Sequence, residues 1–272
     1  MRWPLAVAVW NARVGGGAMC AFWEHLSTGA PTVLLLQEVF ATGADLPEPS
    51  ANSRWAARIA DRPRGERRVD IVAFARERGL SVLYVPSMRN GGPGGDPNDG
   101  PPEDRGCAIV ANVPLAGPRA IELPFERQRR VAVAASVTLG DHTIDFCSVH
   151  LDNRAPWRRV WRTLGSARHR QMAGLLSVFP AGDRAHAHVL GGDLNTWVGG
   201  PREGAYRVAR ERLPLPERPD SSPTHHFEIG AWLRRSDHLM FRLPSEWRGE
   251  YRRLDDTFGS DHYPLLGSVG PE

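Results

Sequence analysis

The sequence predicts one domain built from both strands and helices. Short β-rich apolar runs recur along the chain with helix-like stretches between them. Short polar clusters also stand where the predicted strands run out: Trp10-Asn11, Gln37-Glu38, His150-Leu151-Asp152, Gly192-Asp193-Leu194-Asn195 and Ser260-Asp261-His262, with Ser236-Asp237-His238 as a sixth. Strand ends hold side chains rigidly toward a common place, so carboxylates, amides and imidazoles recurring there predict one assembled active site. The clusters reach from residue 11 to residue 262, which favours a single domain over 1–272, although length alone permits two.

The elements follow in order. Leu5 to Trp10 and Thr32 to Leu36 are apolar, β-rich runs with an Ala-, Trp- and Leu-containing helical stretch between them. A helix is expected over Val69 to Arg78 and a strand over Ser81 to Val85. From Pro86 to Arg105 the run Asn90-Gly91-Gly92-Pro93-Gly94-Gly95-Asp96-Pro97 is too rich in breakers for either, so a long exposed loop is expected. Strands are expected over Gly106 to Val113, Arg130 to Leu139 and Thr143 to Val149, the last two joined at the turn signal Gly140-Asp141. A long helix over Arg158 to Phe179, a strand over His188 to Leu190 and a helix over Arg202 to Arg212 come next. A Pro-rich connection then runs through Pro223, and strands over His238 to Leu243 and Tyr263 to Val269 close the chain.

Composition removes several classes of function. The 34 basic residues are all Arg, so there is no Schiff-base lysine and no complete Walker-type phosphate loop. A formal charge of +3 is too small to establish a nucleic-acid partner by itself. Cys20, Cys107 and Cys147 are odd in number and widely spaced, which indicates neither a disulfide framework nor a zinc cluster. The apolar opening from Met1 to Trp10 is broken by Asn11 and Arg13, and reads as a first core strand rather than a signal peptide. With no apolar run long enough to span a membrane, the expectation is a soluble cytoplasmic protein.

The order of the polar clusters resembles the endonuclease/exonuclease/phosphatase superfamily, which is DNase I-like, over nearly the whole chain. Trp-Asn and Gln-Glu are weak signals singly; Gly-Asp-Leu-Asn late in the chain and Ser-Asp-His near its end are sharper, and their joint order is strong. Gly106-Cys107-Ala108-Ile109-Val110-Ala111-Asn112-Val113-Pro114 also resembles an internal strand of that family. The resemblance implies an α+β fold, a four-layer α/β/β/α sandwich of two mainly antiparallel sheets flanked by helices, with the site at its top. It further implies metal-assisted hydrolysis of a phosphate ester.

Residue types and resemblance together assign roles. Glu38 offers a hard anionic oxygen suited to Mg²⁺, with Mn²⁺ as an alternative ion. The resemblance places Asn11 beside it and Asp261 in the metal shell. It makes Asp193 the residue that orients the attacking water and Asn195 a holder of phosphate or metal-bound oxygens. It puts His262 on the scissile phosphate and His150 facing it as electrophile or proton donor. Asp193 and Asn195, one residue apart, point to one side if the segment is extended. Asp237 is expected to accept a hydrogen bond from His262 and fix its tautomer. Gln37 is expected to position its loop, and Asn112 to contact substrate.

Departures narrow the branch. Arg13 stands where abasic-site endonucleases of the superfamily commonly carry Asp, and His150 where they often carry Tyr. The remaining branches include DNase I-like nucleases, tyrosyl-DNA phosphodiesterases, sphingomyelinases and inositol-phosphate phosphatases. Arg154, Trp157 and Arg158 begin a segment that interleaves cations and aromatics through Trp161 and Arg162 to Arg170. Arg forks bind phosphate and indoles stack on bases, so single-stranded or frayed nucleic acid is the expected substrate. A helix with solvated Arg and core Trp is the plain alternative, and an anionic lipid headgroup suits the same surface. Phospholipid or inositol-phosphate hydrolysis, and a catalytically silent binding protein, stay open as other readings.

Overall fold

The predicted strands fall into two packed sheets, and their polar ends meet at one edge of the sandwich. A computed structural model of the chain describes residues 4–13, 16–26, 29–41, 68–86, 105–126, 129–153, 165–179, 186–196, 200–226 and 235–272. Their elements are β1 (Leu5–Asn11), α1 (Met19–Leu26), β2 (Thr32–Val39), α2 (Ile71–Glu77), β3 (Ser81–Pro86), β4 (Gly106–Ala111), β5 (Ala116–Glu122) and β6 (Val131–Leu139). These are followed by β7 (His142–His150), α3 (Ser166–Leu176), β8 (Ala187–Asp193), α4 (Gly204–Arg212), β9 (Asp237–Arg242), β10 (Trp247–Arg253) and β11 (Leu265–Pro271).

One sheet runs β10-β11-β1-β2-β4-β3 and the other β5-β6-β7-β8-β9. Each is mixed, with one parallel pair, β1 with β2 and β7 with β8, among antiparallel neighbours. A parallel pair needs a crossover connection, and α1 and α3 lie in these two.

The side-chain alternation of each strand divides between two cores. Val7, Val9, Val33 and Leu35 of the first sheet pack between the sheets with Val133, Phe146 and Val189 of the second. Ala8, Trp10, Leu34 and Leu36 face outward onto Phe22 of α1 and Phe74 of α2. Cys147, Val149 and Leu190 face outward onto Met172 of α3 and Ala205 of α4. The result is the four-layer α/β/β/α sandwich. Central strands buried on both faces read as continuous apolar runs, which is why they were legible.

Two strands were not foreseen, β5 and β10, and both are sheet edges. The exposed β5 contains Gly117, Pro118 and a register shift between Ala116 and Arg119; β10 alternates apolar and charged residues, with Arg248, Glu250 and Arg252 exposed. Edge strands need neither a continuous apolar run nor freedom from Pro. The last strand begins at Leu265 rather than Tyr263. The helix expected over 158–179 is α3 within the described residues; 154–164 and the breaker-rich stretch 87–104 lie outside them.

Glycine sets the distance between the sheets near the site. A Cβ on Gly191 of β8 would lie 2.4 Å from Val9 Cγ2 and 2.9 Å from Leu35 Cδ1. A polar link crosses the same region: Gln37 Nε2 donates to Ser148 Oγ (2.9 Å), which donates to Leu36 O (2.9 Å). Gln37 therefore clamps the two sheets and fixes the chain that precedes Glu38.

Candidate active site

Strand register brings the predicted residues together before any loop is considered. Asn11 and Gln37 are partners at the ends of parallel β1 and β2, and His150 and Asp193 at the ends of β7 and β8. Asp193 is also paired with Asp237, the first residue of antiparallel β9.

Glu38 is aimed by a bulge. Between Leu36 and Val39 the pairing of β2 with β4 gains one residue, and Glu38 takes a left-handed φ of 52°. Arg13 (φ 47°) and Asn195 (φ 52°) share this conformation, which non-glycine residues adopt sparingly. All three line a cavity of about 310 Å³ with His150, Asn153, Asp193, His225, Ser236, Asp261 and His262. Sparsely populated backbone conformations concentrate where a site is held in place by its surroundings.

Asp193 is the hub. Asn11 Nδ2 donates to its Oδ2 (3.1 Å) and the Asn195 backbone N–H to its Oδ1 (2.9 Å). His150 Nε2 lies 3.5 Å and His262 Nε2 3.9 Å from Oδ2. The Asp193–Asn195 contact is an Asx-type turn, so a turn rather than an extended segment brings the two residues into the cavity. Asn195 Nδ2 donates to Leu151 O (2.9 Å), which ties this turn to the end of β7.

His262 is fixed from both sides. Its Nδ1 is 2.8 Å from Asp237 Oδ2, its backbone N–H donates to Ser260 Oγ (3.1 Å), and its carbonyl accepts from Trp10 Nε1 (3.2 Å). Ser260 Oγ in turn donates to Asn11 O (2.7 Å), so the C-terminal cluster is sewn to β1. Ser236 Oγ donates to Asp237 Oδ2 (3.0 Å), and Thr224 Oγ1 accepts from the backbone N–H groups of Ser236 and Asp237.

Charge is distributed unequally among these buried groups. Burial and the neighbouring Asp237 charge push the Asp193 carboxyl up to about 7. Burial opposes a charged His262, but the charge and hydrogen bond of Asp237 outweigh it and raise the imidazole to about 10. Asp193 Oδ2 stands 3.5 Å from His150, but burial, then the Arg130 charge, hold this imidazole well below 6.5, so it is neutral at pH 7. Arg130 is fully buried behind the site; burial lowers its pKa, offset by Asp152 and Glu38.

Eight of the predicted residues converge: Asn11, Glu38, His150, Asp193, Asn195, Asp237, Asp261 and His262. Asn112 does not join them. It follows β4 at the opposite end from Glu38, where its Oδ1 accepts from Thr32 N (2.7 Å) and its Nδ2 donates to Ala30 O (2.8 Å), closing the start of β2. Arg154, Trp157 and Arg158 lie outside the described residues. His238 turns away from the site to share a 2.7 Å hydrogen bond with Thr196 Oγ1 beneath Tyr206.

Sequence reasoning missed His225, Arg130 and Thr224. His225 reaches the cavity through a lone β-bridge to His262, a contact with no local sequence signal. The sequence marks Arg130 only as the start of a strand. Arg13, noted as a departure, places Nε 3.7 Å from Asp261 Oδ2.

Comparison with known proteins agrees with the architecture. The Endonuclease/Exonuclease/phosphatase family matches residues 8–262. No curated protein sequence matches the chain. Among solved structures, an endonuclease/exonuclease/phosphatase from Beutenbergia cavernae superposes with a TM-score of 0.65 at 17% identity, covering 99% of this chain and 72% of that one. The catalytic domain of human Nocturnin with bound sulfate anion gives 0.63 at 18% identity, over 100% and 96% of the two chains. TDP2 from D. rerio complexed with single strand DNA product gives 0.62 at 14% identity, over 99% and 100%. At these identities the likeness shows a shared fold, while the match over 8–262 shows the family. The chain belongs to the Endonuclease/Exonuclease/phosphatase family, a family of phosphoesterases.

Proposed function

We propose that the protein is a divalent-metal-dependent phosphoesterase that hydrolyses a nucleic-acid phosphodiester. The observation that carries this reading is the buried Asp193 carboxyl, raised to about 7 and surrounded by Asn11, His150 and the Asp237-paired His262. A general base works best when its pKa lies near the working pH.

The donor set fits a hard divalent cation. Glu38, Asp193 and Asp261 face one cavity. Such a surplus of carboxylate oxygen is what Mg²⁺ or Mn²⁺ favours. Glu38 and Asp261, with the Asn11 amide beside them, would hold the ion. Its positive charge, when bound, offsets that of the phosphate oxygens.

The chain's own groups then have distinct tasks. Asp193 Oδ2 orients water and takes its proton, while Asn11 Nδ2 and the Asn195 N–H keep the carboxylate from rotating. His262, protonated at neutral pH and oriented by Asp237, offers Nε2–H to a phosphate oxygen. Neutral His150 supplies a second donor without adding charge. Preorganised donors of this kind stabilise charge as it develops.

A nucleic-acid substrate is supported by the cations and aromatics of Arg154, Trp157 and Arg158 directly after His150, and by the single strand DNA product seen with D. rerio TDP2 on the same fold. Purified wild type and Glu38→Ala, assayed on a single-stranded oligonucleotide, a phospholipid, an inositol phosphate and a soluble phosphomonoester with and without EDTA, test the reading. Expected is oligonucleotide hydrolysis that EDTA and Glu38→Ala both abolish. Hydrolysis of the lipid or inositol phosphate alone would overturn the substrate and leave the catalytic assignment standing.

A further inference from the structure

His225 has no part in the hydrolytic scheme, yet it stands at the cavity wall with two groups that do. His225 Nε2 lies 3.8 Å from Asp261 Oδ2, and His262 Nε2 lies 3.9 Å from Asp261 Oδ1. The two imidazoles meet edge to face with ring centroids 4.5 Å apart, and a donor atom of each of the three residues lies within 4.8 Å of the others. Around a tetrahedral ion with bonds of roughly 2.0–2.2 Å, donor atoms are separated by roughly 3.3–3.6 Å, so the three donors, within 4.8 Å of one another, must close in by roughly 1 Å to share one ion.

The backbone keeps the trio assembled. The bridge between His225 and His262 is flanked by His226 N–H to Asp261 O (2.8 Å) and Tyr263 N–H to Thr224 O (2.8 Å). Asp237 on His262 Nδ1 leaves Nε2 directed into the cavity. A carboxylate on the far nitrogen of an imidazole is the arrangement that orients metal-binding histidines and raises their basicity.

We propose that His225 Nε2, the Asp261 carboxylate and His262 Nε2 form a second metal site at the cavity wall, selective for a borderline ion such as Zn²⁺, and that filling it arrests hydrolysis. Two imidazole nitrogens with one carboxylate suit Zn²⁺ or Co²⁺, whereas Mg²⁺ keeps to oxygen. Binding replaces the proton on His262 Nε2 with the ion, so the donor that faces the phosphate is lost, and it engages Asp261 as well. The arrest rests on the reading of this cavity as a hydrolytic centre; the binding does not.

Co²⁺ serves as the spectroscopic probe and Zn²⁺ as the inhibitor, with wild type, His225→Ala and His225→Cys compared in saturating Mg²⁺. Wild type should show the visible absorption of a low-coordinate cobalt site, displaced by Zn²⁺. His225→Ala should lose that absorption, weaken Zn²⁺ binding by at least about tenfold, and keep Mg²⁺-supported turnover while escaping Zn²⁺ inhibition. His225→Cys, which restores a ligand, should regain binding and add sulfur-to-cobalt charge transfer. Unchanged cobalt spectra across the three proteins, or equal Zn²⁺ binding by wild type and His225→Ala, would overturn the site. Cobalt binding that depends on His225 in a protein without hydrolytic activity would keep the site and refute the proposed function instead.

Discussion

His262 Nδ1 and Asp237 Oδ2 are 2.8 Å apart, with both side chains at least nine-tenths buried, Asp237 opening β9 and His262 standing just ahead of β11. A buried imidazolium is costly without a partner, so this contact decides the charge of the group that faces the cavity.

Replacing Asp237 by Asn should lower the pKa of His262 from about 10, read by NMR titration of the imidazole in metal-free protein. The contribution of the protonated pair to stability is complete below the ordinary value of 6.5 and is lost as pH rises through about 10. Asp237→Asn should therefore flatten that alkaline loss in urea titrations; an unchanged His262 titration would refute the pairing.

The two residues should also fail to act independently in turnover. In a double-mutant cycle of Asp237→Ala and His262→Ala, the rate losses should overlap, because removing the imidazole leaves Asp237 nothing to orient. Strictly additive losses would separate them.

Gly191→Ala tests the approach of the sheets. Its Cβ would press into Val9 Cγ2 at 2.4 Å and Leu35 Cδ1 at 2.9 Å. Overpacking of this kind costs about 1–3 kcal/mol, so the urea midpoint should fall measurably with the slope of the transition retained. A wild-type midpoint would mean that the inter-sheet core yields at no cost.

Most of the sandwich was legible because its central strands are buried on both faces: among the described residues nine of the eleven strands were read from apolar runs, and β1, β2, β7 and β8 end in polar clusters. Edge strands β5 and β10 were not, since half-exposed backbone places little demand on sequence. At the site, Asn11, Glu38 and Asp193 were found because each stands at the end of a strand, and His262 because its cluster stands just ahead of β11. The convergence of His225 with His262 arises from a bridge 37 residues apart in sequence, and the charge state of Asp193 from its three-dimensional neighbours, neither of which a linear pattern records. Asn112 shows the reverse error: a family-like strand motif places a polar residue at the wrong end of the sheet.

A nucleic-acid substrate has a signature in salt. Affinity for a single-stranded oligonucleotide should fall linearly in log–log form as NaCl rises, with a slope of about −0.7 per phosphate neutralised. Trp157→Leu should weaken that affinity without changing the melting temperature if the indole stacks on a base. Salt-insensitive binding would point away from nucleic acid.

If Asp193 is the base of a metal-dependent hydrolysis, single-turnover cleavage by Asp193→Asn in saturating Mg²⁺ will reveal it. The isosteric amide keeps the shape of the site but cannot take a proton. The rate should drop by about 10²–10⁴-fold while Mg²⁺ affinity and melting temperature stay near wild type. Cleavage at the wild-type rate by folded, Mg²⁺-bound Asp193→Asn would exclude Asp193 as the base.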